Sequence, residues 1–200
     1  MNYPTKLVEE AVNEISRLPG IGKKTAMRLA LHLLKADESQ TVDLASALVN
    51  LRTQTCYCRQ CHHISETELC AICAGMRRDP ALICVVEDSR DVIAIEETAQ
   101  YQGHYHVLGG IISPMAGIGP EELHIESLIQ RAASEQVREV IMAISPTMEG
   151  DTTVFYLSKR LKDCQVKISS IARGVPLGGE LEYADSLTLG RSILTRTEYQ

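Results

Sequence analysis

The sequence of 200 residues has no tryptophan and a single phenylalanine, which excludes a core built on large aromatic side chains. Hydrophobic residues still make up 44% of the chain, so the core must be mainly aliphatic. The longest apolar run with strand character, residues 81–86, is far shorter than the roughly 20 residues of a membrane-spanning helix. The beginning of the chain also lacks an apolar stretch of signal-peptide length. These absences predict a cytoplasmic protein with no membrane role.

Acidic residues are absent from residues 15–36, although the chain as a whole has a formal net charge of -6. The same window contains five lysine and arginine side chains: Arg17, Lys23, Lys24, Arg28 and Lys35. Such a window fits either a solvated helix face or a surface that contacts nucleic acid. Charge alone leaves both interpretations open.

Four cysteines form two C-x-x-C pairs, Cys58 with Cys61 and Cys70 with Cys73. Each pair can hold one edge of a tetrahedral zinc ion, and the stretch between the pairs is long enough to turn back. Four thiolates leave no open coordination position, so the motif predicts one structural zinc ion per chain and not a metal catalyst. The alternatives are a disulfide pair, which requires an oxidising compartment, and a chance cluster of cysteines.

Hydrophobic periodicity predicts a helical module over residues 1–53. The cysteine spacing predicts a finger over residues 54–78. One helix follows Thr5 and stops at the Pro19-Gly20 break, a second follows Gly22, and a third opens at Thr41. From residue 79 to 176, short apolar runs alternate with helical stretches, which predicts an α/β domain with a mainly parallel sheet. The strands are predicted near residues 82–86, 104–108, 139–144 and 166–171, with helices from Ser89, near Pro120 and near Thr152. Residues 177–200 form a tail that is helical from about Leu181.

Four carboxylates follow predicted strands: Glu87, Asp88, Glu149 and Asp151. The carboxyl ends of parallel strands share one edge of a sheet, so these side chains are predicted to lie near one another. They form either a magnesium site or a set of solvated loop acids.

Two histidines, His104 and His106, share a face of a predicted strand. We predict surface polar residues at these positions, with a metal site as the alternative.

The segment Leu18-Pro-Gly-Ile-Gly-Lys-Lys24 connects the first two predicted helices. Gly20 and Gly22 let the backbone approach a phosphate closely, and Lys23, Lys24 and Arg28 add positive charge at the start of the second helix. The segment resembles the helix-hairpin-helix element of DNA-repair proteins, which grips phosphates without reading bases. An ordinary helix connection is the alternative.

The segment that begins at Ser145 resembles a loop of Toprim domains, which occur in primases and type IA topoisomerases. Catalytic members carry Asp-x-Asp-x-Glu there, whereas Ser145 and Thr147 occupy the two Asp positions and only Glu149 remains, beside Glu87. Hydroxyls are poor substitutes for the carboxylate ligands of Mg²⁺. The resemblance implies a Toprim fold that has lost its chemistry, with Glu87, Asp88, Glu149 and Asp151 as a vestigial acidic site.

The order of these parts, together with residues 108–120 and 173–191, resembles the RecR family of bacterial recombination mediators over essentially the whole chain. The resemblance implies a non-enzymatic protein of recombinational repair, a ring-shaped homotetramer on single-stranded, gapped or duplex DNA at the nucleoid. It implies RecO and RecF as partners in loading recombinase. The family's tail is called Walker B-like and is expected to help oligomerisation. Glu180, Glu182 and Asp185 form its acidic cluster, with a helix cap and docking surface as the alternative.

Two other functions remain open on the sequence. An active Toprim enzyme, a nuclease or a primase-like phosphoryl transferase, would use Glu87 and Glu149. A protein-interaction scaffold would never contact DNA.

Overall fold

The computed structural model describes residues 3–134, 136–175, 178 and 180–196. The chain divides into two compact units between Thr55 and Cys56. Each unit is described by itself below.

The first unit contains three helices, α1 (Lys6–Ile15), α2 (Lys23–Lys35) and α3 (Glu38–Gln54). The Thr5 hydroxyl accepts a hydrogen bond from the Val8 amide and begins α1, as the sequence predicts. The small core consists of Val8 and Val12 of α1 packed against Ala26 and Ala30 of α2.

Helix α3 begins three residues before the predicted start at Thr41, so that prediction was wrong. Its first turn is polar and gives no hydrophobic signal. The helix buries none of its residues within the chain. Its large apolar side chains are instead exposed: Val42, Leu44, Leu48, Val49 and Leu51.

The second unit begins with a small antiparallel hairpin, β1 (Cys56–Tyr57) and β2 (Ile64–Ser65). An alternating series follows: β3 (Asp79–Val86), α4 (Ser89–Glu97), β4 (Gly103–Val107), α5 (Ile125–Ala132), β5 (Glu139–Met142), α6 (Met148–Arg160), β6 (Lys167–Ser170) and α7 (Ser186–Leu194). The four strands β4-β3-β5-β6 pair in parallel in that order. The predicted α/β fold with a parallel sheet is therefore confirmed.

The central strand β3 is buried on both faces of the sheet. Ile83 and Val85 point into the larger core, which contains residues of α5 and α6 such as Leu128 and Leu157. Cys84 and Val86 point to the other side, where Val92 of α4 covers them. Ile72 of the cysteine finger packs against this second cluster as well. One face is thus covered by two helices, and the other by one helix and the finger.

Two helix starts differ from the prediction. Pro120 begins a single 3₁₀ turn, and the α-helix α5 starts only at Ile125. Helix α6 starts at Met148 and not near Thr152, because the Thr147 hydroxyl accepts from the Gly150 amide and caps its first turn. None of the helices in the described part of the chain combines the length and the apolar character needed to cross a membrane.

A partly buried ion pair links the chain before β3 to the sheet. Glu96 accepts hydrogen bonds from Arg78 Nη1 at 2.9 Å and from the Tyr105 hydroxyl at 2.7 Å. Replacing it by glutamine should lower the free energy of unfolding by about 1.5–3 kcal/mol, the range for a hydrogen bond to a charged group. The Arg78 guanidinium holds the pKa of Glu96 below its ordinary value. The contribution of the Glu96 carboxylate to the free energy of unfolding is therefore complete above a pH of about 4.3. It is lost as the pH falls through the lowered pKa of Glu96.

Urea denaturation of the wild type and E96Q at neutral and acidic pH measures this difference. E126Q is the control, because the Glu126 side chain is exposed and, among the described residues, forms an ion pair only with Arg160 at the surface. Its effect should stay within about 0.5 kcal/mol. Equal stability of E96Q and wild type at neutral pH would contradict the prediction.

Candidate zinc centre and nucleic-acid interface

The sulfur atoms of Cys58, Cys61, Cys70 and Cys73 all lie within 4.8 Å of one another. The Cys61 and Cys70 sulfurs are 3.5 Å apart, far longer than a disulfide bond. Zinc–sulfur bonds of about 2.3 Å in a tetrahedron place sulfurs roughly 3.8 Å apart. The four cysteines are therefore spaced to hold one zinc ion, as the sequence predicts, and all are free thiols.

Local backbone geometry gives the finger its shape. The Cys58 amide donates to the His63 carbonyl at 2.8 Å and the His62 amide donates to the Cys58 carbonyl at 2.9 Å, which closes a tight turn around the first pair. His62 has a left-handed backbone, φ 62°. In the second pair, the Cys73 amide donates to the Cys70 sulfur at 3.4 Å. Such a bond favours a thiolate on Cys70, the form that binds zinc.

The cluster favours ionisation of one thiol without metal. A hydrogen bond with Cys73 lowers the pKa of Cys61 to about 5. Burial raises the pKa of Cys70 to about 11. Cys84, buried in the sheet away from this cluster, also has its pKa raised, to about 12. In this cluster a bound cation would stabilise the thiolate form of the cysteines.

The finger is fixed to strand β4 and to helix α5 by several contacts. The Val107 amide donates to the Cys61 carbonyl at 2.8 Å, and Arg131 Nη1 of α5 donates to the Gln60 carbonyl at 3.0 Å. The His62 ring stacks on His124, with ring centroids 3.9 Å apart, and its Nε2 lies 2.9 Å from the Ser127 hydroxyl. The finger and the sheet therefore belong to one compact unit.

The prediction that His104 and His106 are surface polar residues was wrong, because both are buried. Burial lowers the pKa of His106 to about 3, so the ring is neutral. Its Nε2–H donates to the His124 carbonyl at 2.7 Å, which leaves Nδ1 as an acceptor. A strand in the interior of an α/β domain is covered on both faces, which alternating sequence patterns do not reveal.

Each of the four predicted acids has a partner within the protein. The Glu87 carboxylate accepts from the Ser145 amide at 2.8 Å, and the Ser113 hydroxyl donates to Glu149. Asp88 caps α4 and pairs with Arg90. Among the described residues, only the cysteines bring three or more ligand atoms together, so these acids do not form a compact metal-ligand set.

Asp151 is held by two arginines that the sequence did not connect to it. Arg173 Nη2 lies 2.6 Å and Arg191 Nη2 3.7 Å from its oxygens. Arg173, with Arg191 as a smaller cause, keeps the pKa of Asp151 below its usual range. Arg173 and Arg191 are the first and last residues of the segment 173–191, on which the family resemblance partly rests. No local sequence pattern indicates that they pair with Asp151.

A close backbone approach shapes the loop that resembles the Toprim motif. A Cβ atom on Gly150 would lie 2.0 Å from the Ser145 carbonyl oxygen, so only glycine fits there. The Ser145 carbonyl and the capping hydroxyl of Thr147 thus both lie against the first turn of α6. The Thr147 hydroxyl and the Ser145 carbonyl therefore shape the loop's backbone.

The hairpin between α1 and α2 presents an open helix end. Gly20 has a left-handed backbone, φ 79°, and neither Gly20 nor Gly22 has an atom within 4 Å of its missing Cβ. Gly22 begins α2 without a side-chain cap, and no acidic residue stands in the first turn. Lys23, Lys24 and Arg28 are exposed.

Of the five basic residues in the acid-free window, Arg17 has an acidic partner, Glu14, at 3.0 Å. No carboxylate in the described part of the chain lies within ion-pair distance of Lys23, Lys24 or Arg28. The glycines and bases of the hairpin therefore meet at one end of α2 as an accessible positive surface.

In the tail, Asp185 accepts from the Leu187 and Thr188 amides and caps α7, which confirms the helix-cap alternative for this acid. Residues 181–183 form a 3₁₀ turn between Glu180 and the cap. Pro176, Leu177, Gly179 and residues 197–200 lie outside the described residues.

Four family models match consecutive parts of the chain. They are a RecR helix-hairpin-helix at residues 8–52, a RecR four-cysteine zinc finger domain at 55–75, a Toprim domain at 81–172 and a RecR C-terminal segment at 174–197. The fold and the cysteine site thus define a zinc-finger protein with a Toprim domain.

Curated relatives match over the full length. Recombination protein RecR of Amoebophilus asiaticus is 62% identical, covering 100% of both chains. That of Cytophaga hutchinsonii is 59% identical over 100% of this chain and 98% of its own. That of Porphyromonas gingivalis is 56% identical over 98% and 95%. The chain belongs to the RecR family of recombination proteins.

Replacing Cys58 by alanine should remove one of four ligands and release zinc. Because zinc-binding free energy is largely folding free energy in small metal sites, the finger should also lose protease resistance. Cys56→Ala is the matched control, since Cys56 is an exposed thiol two residues before the site. We expect about one zinc per chain in the wild type and C56A, and well below one in C58A, by elemental analysis. Zinc-free wild type that is correctly folded would contradict the assignment.

Proposed function

We propose that this protein is a non-enzymatic DNA clamp of recombinational repair. It assembles as a ring-shaped tetramer around gapped, single-stranded or duplex DNA at the nucleoid in the cytoplasm. With RecO and RecF it helps recombinase load onto DNA. The zinc ion has a structural role, and the vestigial acids bind no catalytic metal.

The observation that carries the DNA-binding part is the charge at the start of α2. Lys23 and Lys24 stand in the first turn, where the helix dipole already leaves partial positive charge on free N–H groups. Their repulsion is unfavourable in the free protein and is relieved when a phosphate binds there. Arg28 follows Lys24 by one helical turn, on the same face. Open space at Gly20 and Gly22 supports a close approach of the nucleic-acid backbone.

Phosphate contacts of this kind carry no sequence information, which suits a protein that must act at any gap. Base recognition would need side chains placed in a groove. The proposed interface instead presents main-chain amides and flexible basic side chains. These groups bind the phosphate backbone of a nucleic acid.

The exposed apolar face of α3 supports an assembly of several chains. Leu44, Leu48 and Leu51 follow one another at helical spacing and remain exposed in the single chain. Large exposed apolar patches are typical of protein–protein interfaces. We assign this face to contact with a second copy, since a ring requires each chain to bind its neighbours.

The partners of the acids support the absence of phosphoryl transfer. A magnesium site needs carboxylate oxygens that converge on one point and are not neutralised by cations. Asp151 is paired with Arg173, and Asp88 is directed to the start of α4 by its capping bonds. Glu87 and Glu149 remain without the two aspartates of the catalytic motif, because Ser145 and Thr147 occupy those positions.

Reversing two charges at the hairpin tests DNA binding. K23E/K24E should weaken binding to gapped DNA and reduce the slope of log K against log[salt] by roughly one for each lysine. The control K159E/K162E makes the same change in net charge on exposed lysines of the Toprim domain. Fluorescence anisotropy over a salt series measures both quantities. If K23E/K24E and the control bind like the wild type, the hairpin is not the DNA site and the scaffold alternative gains support.

Incubation with gapped DNA and Mg²⁺ or Mn²⁺ tests for enzymatic activity. We expect no cleavage and no extension with wild type or with E87Q, because the acids lack a metal-binding arrangement. Metal-dependent cleavage or extension that E87Q abolishes would establish the Toprim enzyme alternative and refute the clamp.

A further inference from the structure

Arg131 is a half-buried arginine at the boundary between the cysteine finger and the sheet. Its Nη1 donates to three acceptors: the Gln60 carbonyl at 3.0 Å, the Tyr105 carbonyl at 2.8 Å and His106 Nδ1 at 3.1 Å. The first acceptor belongs to the finger and the other two belong to strand β4. A single guanidinium therefore joins the two parts.

All three acceptors are uncharged. His106 is neutral and accepts at Nδ1 because its other nitrogen donates to the His124 carbonyl. Among the described residues, no carboxylate oxygen lies within 4.0 Å of the Arg131 guanidinium. A partly desolvated cation without a carboxylate is costly unless another anion is near.

The contact with the Gln60 carbonyl places Arg131 next to the cysteine cluster, one residue from Cys61, and this cluster can supply the anion. A zinc ion with four thiolates carries a net charge of about -2. Burial lowers the pKa of Arg131, and the sulfurs of Cys73, Cys61 and Cys58 oppose this effect. The attraction is mutual, since a nearby cation also stabilises the deprotonated thiolates that bind the metal.

Arg131 also contacts the main chain next to the zinc ligand Cys61. The Gln60 carbonyl belongs to the peptide bond that leads into Cys61, and the next carbonyl, of Cys61 itself, accepts from the Val107 amide at 2.8 Å. Two consecutive carbonyls of the finger are thus bound to the sheet side, one by Arg131 and one by β4. This fixes the position of one ligand relative to the sheet.

We infer that Arg131 is the counter-ion of the zinc centre and the positioning residue that couples metal binding to attachment of the finger on the sheet. Outer partners of metal ligands commonly change metal affinity by about 10–100-fold. Arg131 acts in this way through charge and through the Gln60 carbonyl. The inference does not depend on the DNA-clamp function.

Zinc affinity, measured by competition with a chromogenic chelator, tests the inference on the full chain. R131M keeps the apolar stem and removes the charge, and should bind zinc about 10–100-fold more weakly than wild type. R131K keeps the charge without the planar fork and should recover at least half of that loss on a logarithmic scale. The control R138M removes an exposed arginine that, in the described part of the chain, forms an ion pair only with Asp79, and it should bind zinc like wild type.

Wild-type affinity in R131M, or equal weakness of R131M and R131K, would overturn the counter-ion role.

A second measurement avoids variants that fail to fold. Hydrogen exchange of the wild type with and without chelator should show roughly tenfold or more faster exchange at the Val107 amide after zinc removal. Amides of β6, at the far edge of the sheet, should change much less. Unchanged exchange at Val107 would overturn the coupling.

Discussion

The parallel sheet must be covered on both faces, and in this protein the cysteine finger does part of that work. Helices α5 and α6 cover one face, whereas α4 alone faces the other. Ile72 of the finger packs on the second face, and the Val107–Cys61 hydrogen bond and the Arg131–Gln60 contact attach the finger to β4 and α5. A segment this short has little core of its own, so a metal ion and attachment to a larger sheet are the ways it can hold its shape.

Because the finger depends on a metal ion to hold its shape, the role of zinc is structural and not catalytic. Four buried or half-buried thiolates leave no position for water or substrate. The charge of the centre is instead available to neighbouring residues, and Arg131 is the one placed to use it. In the loop that resembles the Toprim motif, the Thr147 hydroxyl caps α6, and nearby Asp151 pairs with Arg173. These two contacts stabilise the fold at this edge of the sheet.

The sequence predicted the features that depend on local chemistry. The cysteine spacing, the capped start of α1, the glycine hairpin and the four strands all follow from neighbouring residues. Contacts between distant residues escaped prediction. Asp151 meets Arg173 across 22 positions, and His106 is buried because the sheet is covered on both faces. The early start of α3 was not predicted, because its polar first turn shows no hydrophobic periodicity. The family resemblance supplied the expected oligomer and partners, which no local pattern contains.

The central claim is that the protein encircles DNA, and topological retention tests it most directly. Complexes on a gapped circular DNA and on the same DNA made linear are challenged with about 1 M salt, where the Debye length is only about 3 Å and phosphate contacts are screened. A closed ring should remain on the circle and leave the linear DNA over its free ends. Cutting the circle should then release the retained protein. Equally rapid loss from circular and linear DNA would contradict the account.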